Sequence, residues 1–224
     1  MPNSKTADAA DYVVSDDFDV DARPAPSTGA VKAGWGEALA PRGGYTTETK
    51  ITDKVQVFRF IDKNDASPVA SYKTHFLNDK PKGRKMYVCL ASSDNPDCPL
   101  CDMDPRIKGQ KAESKVAFSV INFSVDPFER QLLIATPALY RPLHTTAHSE
   151  LGPLDSRFWG IMKTGERQTT KYHLTPIKPR DLDEDWGINE AAAMAMIDAT
   201  EPFDSSVIRE TSYAELVEIA AELS

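Results

Sequence analysis

The segment KMYVCLASSDNPDCPLC, residues 85–101, contains all three cysteines of the chain and decides how the rest of the sequence is interpreted. In Cys98-Pro99-Leu100-Cys101 two residues separate a pair of thiols, so one tight turn can direct both sulfurs at a single metal ion. A redox pair would instead need a thioredoxin-like strand and helix, and it leaves Cys89 without a role. The spacing therefore indicates a metal site rather than a redox pair or a disulfide framework.

His75 is the candidate fourth ligand. Strands are predicted at residues 69–77 and 84–90, and the polar loop between them makes the pair a hairpin. His75 and Cys89 then lie near its open end, close together despite their separation in sequence. Three other histidines lack this argument: His144, His148 and His173. Four protein ligands close a coordination shell, so we expect one structural zinc ion, Zn²⁺, held by His75, Cys89, Cys98 and Cys101.

Alternating apolar and polar residues predict a chain made mainly of short strands. Further strands are expected at residues 54–62, 112–123, 131–136, 158–163 and 169–177. Residues 189–199 and 211–222 are predicted helices, the second capped by Ser212, whereas residues 137–152 are helical or irregular. The expected class is mainly β, a β-rich α+β fold. It is an OB-fold-like five-stranded Greek-key barrel with a zinc-binding subdomain and short C-terminal helices.

Composition divides the chain into three segments. Residues 1–33 form an acidic N-terminal arm that is expected to be disordered, and Trp35 is a candidate anchor of this arm on the core. Residues 34–180 form the strand-rich domain, with the zinc subdomain at about residues 72–110. Residues 181–224 form an acidic, partly helical segment. No apolar run approaches the roughly 20 residues of a membrane span, and no secretory signal is recognisable, so an intracellular protein is expected.

The net charge of −8 is unevenly distributed. Residues 42–115 carry 14 basic and ten acidic side chains, and residues 157–180 carry six basic and one acidic. Residues 1–30 carry six acidic side chains against two basic ones, and residues 181–224 carry 12 against one. A basic centre between acidic ends is typical of a nucleic-acid surface with an acidic arm, although acidic ends also occur in soluble proteins of other kinds.

Basic and aromatic residues are interleaved along the predicted strands, as in proteins that neutralise the phosphates and stack the bases of a single strand. Alternation puts Lys85 and Tyr87 on one face, which makes them a better contact pair than two adjacent residues. Phosphate contacts are predicted for Arg59, Lys73, Lys85, Lys163 and Lys171. Stacking is predicted for Tyr72, Tyr87 and Trp159, although a single aromatic residue in a strand more often belongs to the core.

No Gly-rich phosphate loop, nucleophile elbow or kinase signature is recognisable. The expected function is therefore non-enzymatic, sequence-tolerant binding of a single-stranded nucleic acid. One alternative is a zinc-stabilised protein–protein adaptor that uses its acidic ends to hold a host enzyme. Another is a hydrolase or nuclease with a metal at Asp181, Asp183 and Asp185, a run that is more typical of a solvated acidic loop.

The ligand pattern resembles that of phage single-stranded-DNA-binding proteins. His75, Cys89 and the knuckle 98–101 are similar to the zinc subdomain of the T-even phage proteins. The likeness to the proteins of actinobacterial tailed phages is broader and covers roughly residues 34–220. The stretches that carry it are 87–90, 98–101, 117–120, 152–155, the Trp159 strand ending near 163–165, and 180–186.

This resemblance implies an OB-fold core, roles in DNA replication, recombination and repair, and cooperative coating of single strands. The implied location is the cytoplasm of an infected host cell. The resemblance also implies that the acidic C-terminal segment recruits phage replication proteins. In this chain that segment ends in a predicted helix, and residues 1–30 are acidic where the T-even proteins have a basic arm.

Overall fold

A computed structural model describes residues 47–62, 68–77, 85–91, 97–166 and 169–223, so the predicted N-terminal arm and Trp35 lie outside the described residues. Within these ranges the chain forms eight strands: β1 Glu48–Thr49, β2 Gln56–Phe60, β3 Ala70–Phe76, β4 Met86–Val88, β5 Glu113–Asn122, β6 Glu129–Ala135, β7 Phe158–Thr164 and β8 Lys171–Ile177. The helices of the same ranges are α1 Pro137–Ala147, α2 Asp181–Trp186, α3 Glu190–Ala199 and α4 Tyr213–Leu223, with 3₁₀ turns at Leu154–Ser156 and Ser205–Val207.

The strands form one mixed sheet in the order β1-β6-β5-β2-β7-β8, and β3 leaves this path by pairing with both β5 and β4. Among the described strands only β1 and β6 pair in parallel. The mainly β class is confirmed. The sheet is open, however, whereas the sequence predicted a closed five-stranded barrel, because β8 extends the sheet as the hairpin partner of β7 and does not return to β1. The OB-fold assignment stays a prediction.

Strand β2 shows why the sheet has a core on each face. Successive strand residues point to opposite faces, and here each face of the strand has buried residues. Phe58 and Phe60 pack in a cluster that includes Leu139 and Leu143 of α1. Val57 packs in a second cluster that includes residues of α2 and α3. The sheet is therefore a central layer between helices.

The acidic C-terminal segment is fastened to the sheet after α3. The backbone N–H of Phe203 donates to Ser119 Oγ in β5 at 2.9 Å. Arg130 of β6 donates to the carbonyl of Glu201 at 2.7 Å, and its guanidinium lies 4.0 Å from the centroid of the Phe203 ring. These contacts direct the chain from the sheet towards the β3–β4 hairpin.

Helix α4 is the last element of the described chain, and it packs against the core that contains the cysteines. Its start is capped as predicted, because Ser212 Oγ accepts a hydrogen bond from the backbone N–H of Glu215 at 3.3 Å. Leu216 and Ile219 form its buried stripe. In the part of the chain that the structure describes, no helix combines the length and apolar character needed to cross a membrane.

Candidate functional site

His75, Cys89, Cys98 and Cys101 converge from three parts of the fold. His75 lies in β3, and Cys89 directly follows β4. The backbone N–H of Cys89 donates to the carbonyl of Lys73 at 2.8 Å, which extends the β3–β4 ladder up to the ligand. The turn at Cys98 and Cys101 is closed by a 2.8 Å hydrogen bond from the N–H of Cys101 to the carbonyl of Cys98. The hairpin therefore positions two ligands and the turn positions the other two.

The four ligand atoms lie within 4.8 Å of one another. His75 Nε2 is 3.6 Å from Cys98 Sγ and 3.7 Å from Cys101 Sγ, and the sulfurs of Cys89 and Cys101 are 3.5 Å apart. A tetrahedral ion with bonds of about 2.3 Å to sulfur and about 2.0 Å to nitrogen needs ligand atoms roughly 3.5–3.8 Å apart. The cluster therefore fits one metal ion, and the predicted convergence of these four residues is confirmed.

Backbone groups beside the cluster orient its ligands. Nδ1 of His75 lies 3.2 Å from the carbonyl oxygen of Gly109, so we assign the proton to Nδ1, which leaves Nε2 for a metal. Gly109 has a φ of 95°, and a Cβ there would lie 1.9 Å from the carbonyl oxygen of Phe76. Only glycine allows the loop to approach β3 this closely. The side chain of Gln110 donates to the carbonyl of Cys101 and braces the turn.

Burial and hydrogen bonding shift the pKa values of the ligands in different directions. Burial lowers the pKa of His75 and raises that of Cys89. Burial, followed by the neighbouring thiol of Cys89, raises the pKa of Cys101 to about 12. Burial would also raise the pKa of Cys98, but hydrogen bonds from the surrounding backbone, Leu90 among them, lower it overall. Cys98 therefore has the best-stabilised thiolate of the three.

The ligands also lie in a third hydrophobic core. Leu77, Leu100 and Met103 pack with the cysteines, and Leu216 and Ile219 of α4 complete the cluster. Leu216 is 0 % exposed. Helix α4 therefore rests on a surface whose shape depends on where the metal ligands are held.

Two of the predicted stacking residues, Tyr87 and Trp159, are core residues. Tyr87 is 3 % exposed and packs in the cluster that contains Leu216. Trp159 is 0 % exposed, and its indole N–H donates to the carbonyl of Leu154 at 2.8 Å. Because α4 completes the core around Tyr87 and α1 the core around Trp159, neither ring offers a face to a base. This corrects the expectation for both residues.

Most of the other predicted contacts are accessible. Lys73 and Lys171 are exposed. Tyr72, Lys85 and Lys163 are half-buried. The lysines lie on two hairpins, β3–β4 and β7–β8, and the structure does not bring all of them to one place.

Arg59 is held within the fold. Its guanidinium carbon lies 5.4 Å from the centroid of the Phe158 ring in the neighbouring strand. Burial lowers the pKa of Arg59 although the charge of Asp155 opposes this shift. Among the described residues its Nε is buried without a hydrogen-bond partner. Arg59 is thus poorly placed for contact with a phosphate.

The register between neighbouring strands places a lysine opposite a tyrosine in two pairs, neither of which was predicted from the sequence. Lys163 of β7 lies opposite Tyr172 of β8, and Tyr72 of β3 lies opposite Lys115 of β5. Residues directly opposite project from the same face, with Cβ atoms about 4.5–5.5 Å apart. Alternation within one strand cannot reveal such pairs, because it carries no information about which strand lies alongside.

Phe76 is a further residue that the prediction omitted. It is 50 % exposed at the end of β3. Alternation puts it on the same face of β3 as Tyr72, opposite to the face of the buried ligand His75. The sequence alone could have indicated this. If His75 faces inward as a ligand, alternation puts Tyr72 and Phe76 on the opposite face.

The acidic run at residues 181–185 lies in α2. Asp183 and Asp185 are exposed, and Asp181 accepts a hydrogen bond from Arg180 Nε at 3.2 Å. Within the described ranges, the group of His75 with the three cysteines is the only one in which at least three His, Cys, Asp or Glu side chains come close enough for a metal.

Comparison of the chain with protein-family models, with curated proteins and with solved structures found no match in any of the three. Function is therefore inferred from the residues and their geometry.

Proposed function

We propose that the protein binds single-stranded DNA with little sequence preference, contains one structural zinc ion, and acts in phage DNA replication and recombination. The observation that carries the proposal is the β7–β8 hairpin, where Lys163 lies opposite Tyr172 in a strongly basic segment. Residues 157–180 carry six basic side chains and one acidic one. Cations beside aromatic faces are what sequence-tolerant binding of single strands needs. The phage context rests on the resemblance of the zinc ligands.

The position of β8 at the edge of the sheet favours this hairpin as the main DNA surface. By alternation, Lys171 and His173 project from one face of β8, and both are exposed. Lys163 and Tyr172 project from the other face and are half-buried. A single strand that lies along this edge can contact cations from both faces.

Tyr72 and Phe76 form a second proposed stacking patch, which takes the place of Tyr87 and Trp159. Both rings project from one face of β3, and Lys115 lies opposite Tyr72 on that face. The exposed Lys73 lies between the two rings in the sequence and projects from the other face. The metal cluster supports this patch, because His75 belongs to the same strand.

Zinc is the proposed ion because one imidazole and three thiolates in a tetrahedron are typical of structural zinc sites. When bound, zinc would join the β3–β4 hairpin to the turn at residues 98–101 and contribute to folding. Metal analysis of purified protein should give one zinc per chain. Cys101→Ser should lose it, whereas His148→Gln, a control at the C-terminal cap of α1, should keep it. Zinc retained in full by Cys101→Ser would reject this assignment.

Fluorescence anisotropy with a labelled oligothymidylate tests the DNA proposal. We expect Lys163→Gln and Tyr172→Leu each to raise Kd roughly three- to tenfold, because one loses a phosphate contact and the other a stacking face. Leucine retains the apolar contact of Tyr172 with the core. Lys108→Gln, which changes an exposed lysine outside the hairpin, is the control. Absence of binding at micromolar protein and low salt would reject the proposal.

A protein–protein adaptor is the second candidate, and two exposed apolar side chains favour it. Tyr213 is 53 % exposed and Val217 is 45 % exposed, both on α4 in the acidic segment. Deletion of the segment would also remove Leu216 from the metal-site core, so a Tyr213→Ser, Val217→Ser double variant is the cleaner test. An adaptor predicts that this variant loses a bound host enzyme and that neither form binds oligothymidylate.

A further inference from the structure

A small cavity lies at the end of the β7–β8 hairpin where β7 begins and β8 ends. Its volume is about 270 Å³, which is near the lower end of ligand-binding pockets. Six residues line it: Ser156, Arg157, Pro176, Ile177, Lys178 and Pro179. Two of the six are cationic and none is acidic, so the cavity is suited to an anion.

The register of the hairpin places the two cations against each other. Phe158 and Ile177 are the last paired residues of β7 and β8. Arg157 directly precedes β7 and Lys178 directly follows β8, and both line the cavity. Like charges in directly opposite positions destabilise a hairpin. A bound anion would convert this repulsion into two attractive contacts.

Neighbouring groups leave both cations available. Arg157 donates from Nε to the carbonyl of Leu151 at 2.9 Å, which orients the guanidinium and leaves its two terminal nitrogens for a ligand. Lys178 is exposed. Among the described residues neither side chain forms an ion pair, and the nearby carboxylate of Asp181 is engaged by Arg180.

We propose that this cavity binds the phosphate group of a nucleotide unit. A guanidinium presents paired donors that match phosphate oxygens, and an ammonium beside it adds a point charge. Pro176, Ile177 and Pro179 supply an apolar wall for the sugar or base. The size of the cavity limits the ligand to a single unit of a strand.

The assignment of a nucleotide rests on the proposed function. By alternation, Arg157 and Lys178 project from the same face of the hairpin as Lys163 and Tyr172. Trp159 and Ile161 lie between them on that face and are buried, so the cavity is a separate contact point at the other end of the same hairpin. It adds a fixed point at which one phosphate of the strand is held.

Amide chemical shifts of the full-length, metal-loaded protein test the proposal with thymidine 5′-monophosphate as the probe. We expect the nucleotide to shift the amides of Arg157, Ile177 and Lys178, and thymidine without phosphate to leave them unchanged. Arg157→Gln and Lys178→Gln should each weaken nucleotide binding about tenfold, because each removes a charge-assisted contact. Arg180→Gln changes a cation outside the cavity and should have less than about a twofold effect.

Thermal unfolding gives a second readout, which reports on the repulsion between Arg157 and Lys178. In phosphate-free buffer Lys178→Gln should unfold at the same temperature as the unmodified protein or higher, because one of two like charges is gone. Thymidine 5′-monophosphate should raise the unfolding temperature of the unmodified protein more than that of Lys178→Gln. Equal nucleotide affinity in Lys178→Gln would overturn the proposal, and inorganic phosphate binding as tightly as the nucleotide would overturn the role of the apolar wall.

The two proposals fail in different ways. If the cavity amides do not respond to the nucleotide while oligothymidylate still binds, the cavity is rejected and the DNA surface stands. If oligothymidylate does not bind while the nucleotide still shifts these amides, the DNA-binding function is rejected and the phosphate site stands.

Discussion

Gly109 connects backbone geometry to the metal ligands. Its carbonyl faces Nδ1 of His75 at 3.2 Å, and a Cβ at this position would lie 1.9 Å from the carbonyl oxygen of Phe76. We expect Gly109→Ala to lower the free energy of unfolding by more than about 1 kcal/mol, because the backbone must move. The same movement should weaken zinc binding. Denaturant unfolding and zinc competition with a chelator measure the two effects.

Gly187 provides the control for this substitution. It also has a positive φ, 65°, but no atom lies within 4 Å of a Cβ placed there. Gly187→Ala should therefore cost roughly 1 kcal/mol from the left-handed backbone alone and should not change zinc affinity. Equal zinc affinities of the two variants would contradict the role assigned to Gly109.

Asp62 gives the protein a pH-dependent stability. It is 5 % exposed, and the backbone N–H of Ser119 donates to its carboxylate at 3.0 and 3.2 Å. Burial raises its pKa from 3.8 to about 7; the Ser119 hydrogen bonds oppose this shift and the charge of Asp155 adds to it. The folded state thus favours the protonated form. The stability this provides is complete below pH 3.8 and is lost as the pH rises through about 7.

Asp62→Asn tests this linkage because asparagine stays neutral and can still accept from Ser119. The variant should be more stable than the unmodified protein at about pH 8, by roughly 1–3 kcal/mol, and the difference should shrink at about pH 5. Thermal unfolding at the two pH values measures it. Exposed Asp53→Asn is the control. A stability difference that does not change with pH would refute the assignment.

Cysteine spacing predicted the cluster of His75 with the three cysteines, because metal coordination requires ligands at characteristic spacings in the sequence. Burial of Tyr87 and Trp159 has no such pattern. Alternation shows which residues share a face, but Tyr87 is covered by α4, which lies more than 120 residues later in the chain. The surroundings of Arg59 likewise come from β7 and Asp155, which no local pattern around Arg59 indicates.

Local sequence patterns predicted most of the strands and the two helices nearest the C-terminus. Residues 137–152 are predicted to be helical or irregular, and the structure forms helix α1 over Pro137–Ala147 with Pro142 inside it. Strand β1 spans two residues, too few for a periodic pattern. Closure of a sheet depends on the pairing of its first and last strands, which no local pattern encodes. The sequence therefore could not show that this sheet stays open.

Helix α4 and the metal site should stabilise each other. Leu216 is fully buried in the core that contains Cys89 and Cys98. Leu216→Ala should therefore weaken zinc binding and speed amide hydrogen exchange in residues 213–223. Removal of zinc by a chelator should speed the same exchange, because linkage between the two is reciprocal.

Val217→Ala is the matched control on the same helix, because Val217 is 45 % exposed. Its zinc affinity should equal that of the unmodified protein. Exchange in residues 213–223 that does not respond to zinc removal would show that α4 docks independently of the metal.

Across the whole molecule, charge separates a basic hairpin from an acidic segment packed on the sheet and metal site. The net charge of −8 hides this separation. Affinity for DNA should therefore come from a few localised cations, chiefly Lys163 and Lys171, and not from the molecule as a whole. Each cation that neutralises a phosphate contributes about 0.7 to the slope of log K against log salt concentration for a single strand.

The decisive measurement for the proposed DNA binding is the salt dependence of oligothymidylate binding by the zinc-loaded protein. Between about 0.05 and 0.2 M salt, log K should fall linearly with log salt concentration. Lys163→Gln and Lys171→Gln should each reduce the slope by about 0.7, and Lys108→Gln should leave it unchanged. Binding that is absent at micromolar protein, or that responds neither to salt nor to the hairpin substitutions, would contradict the claim.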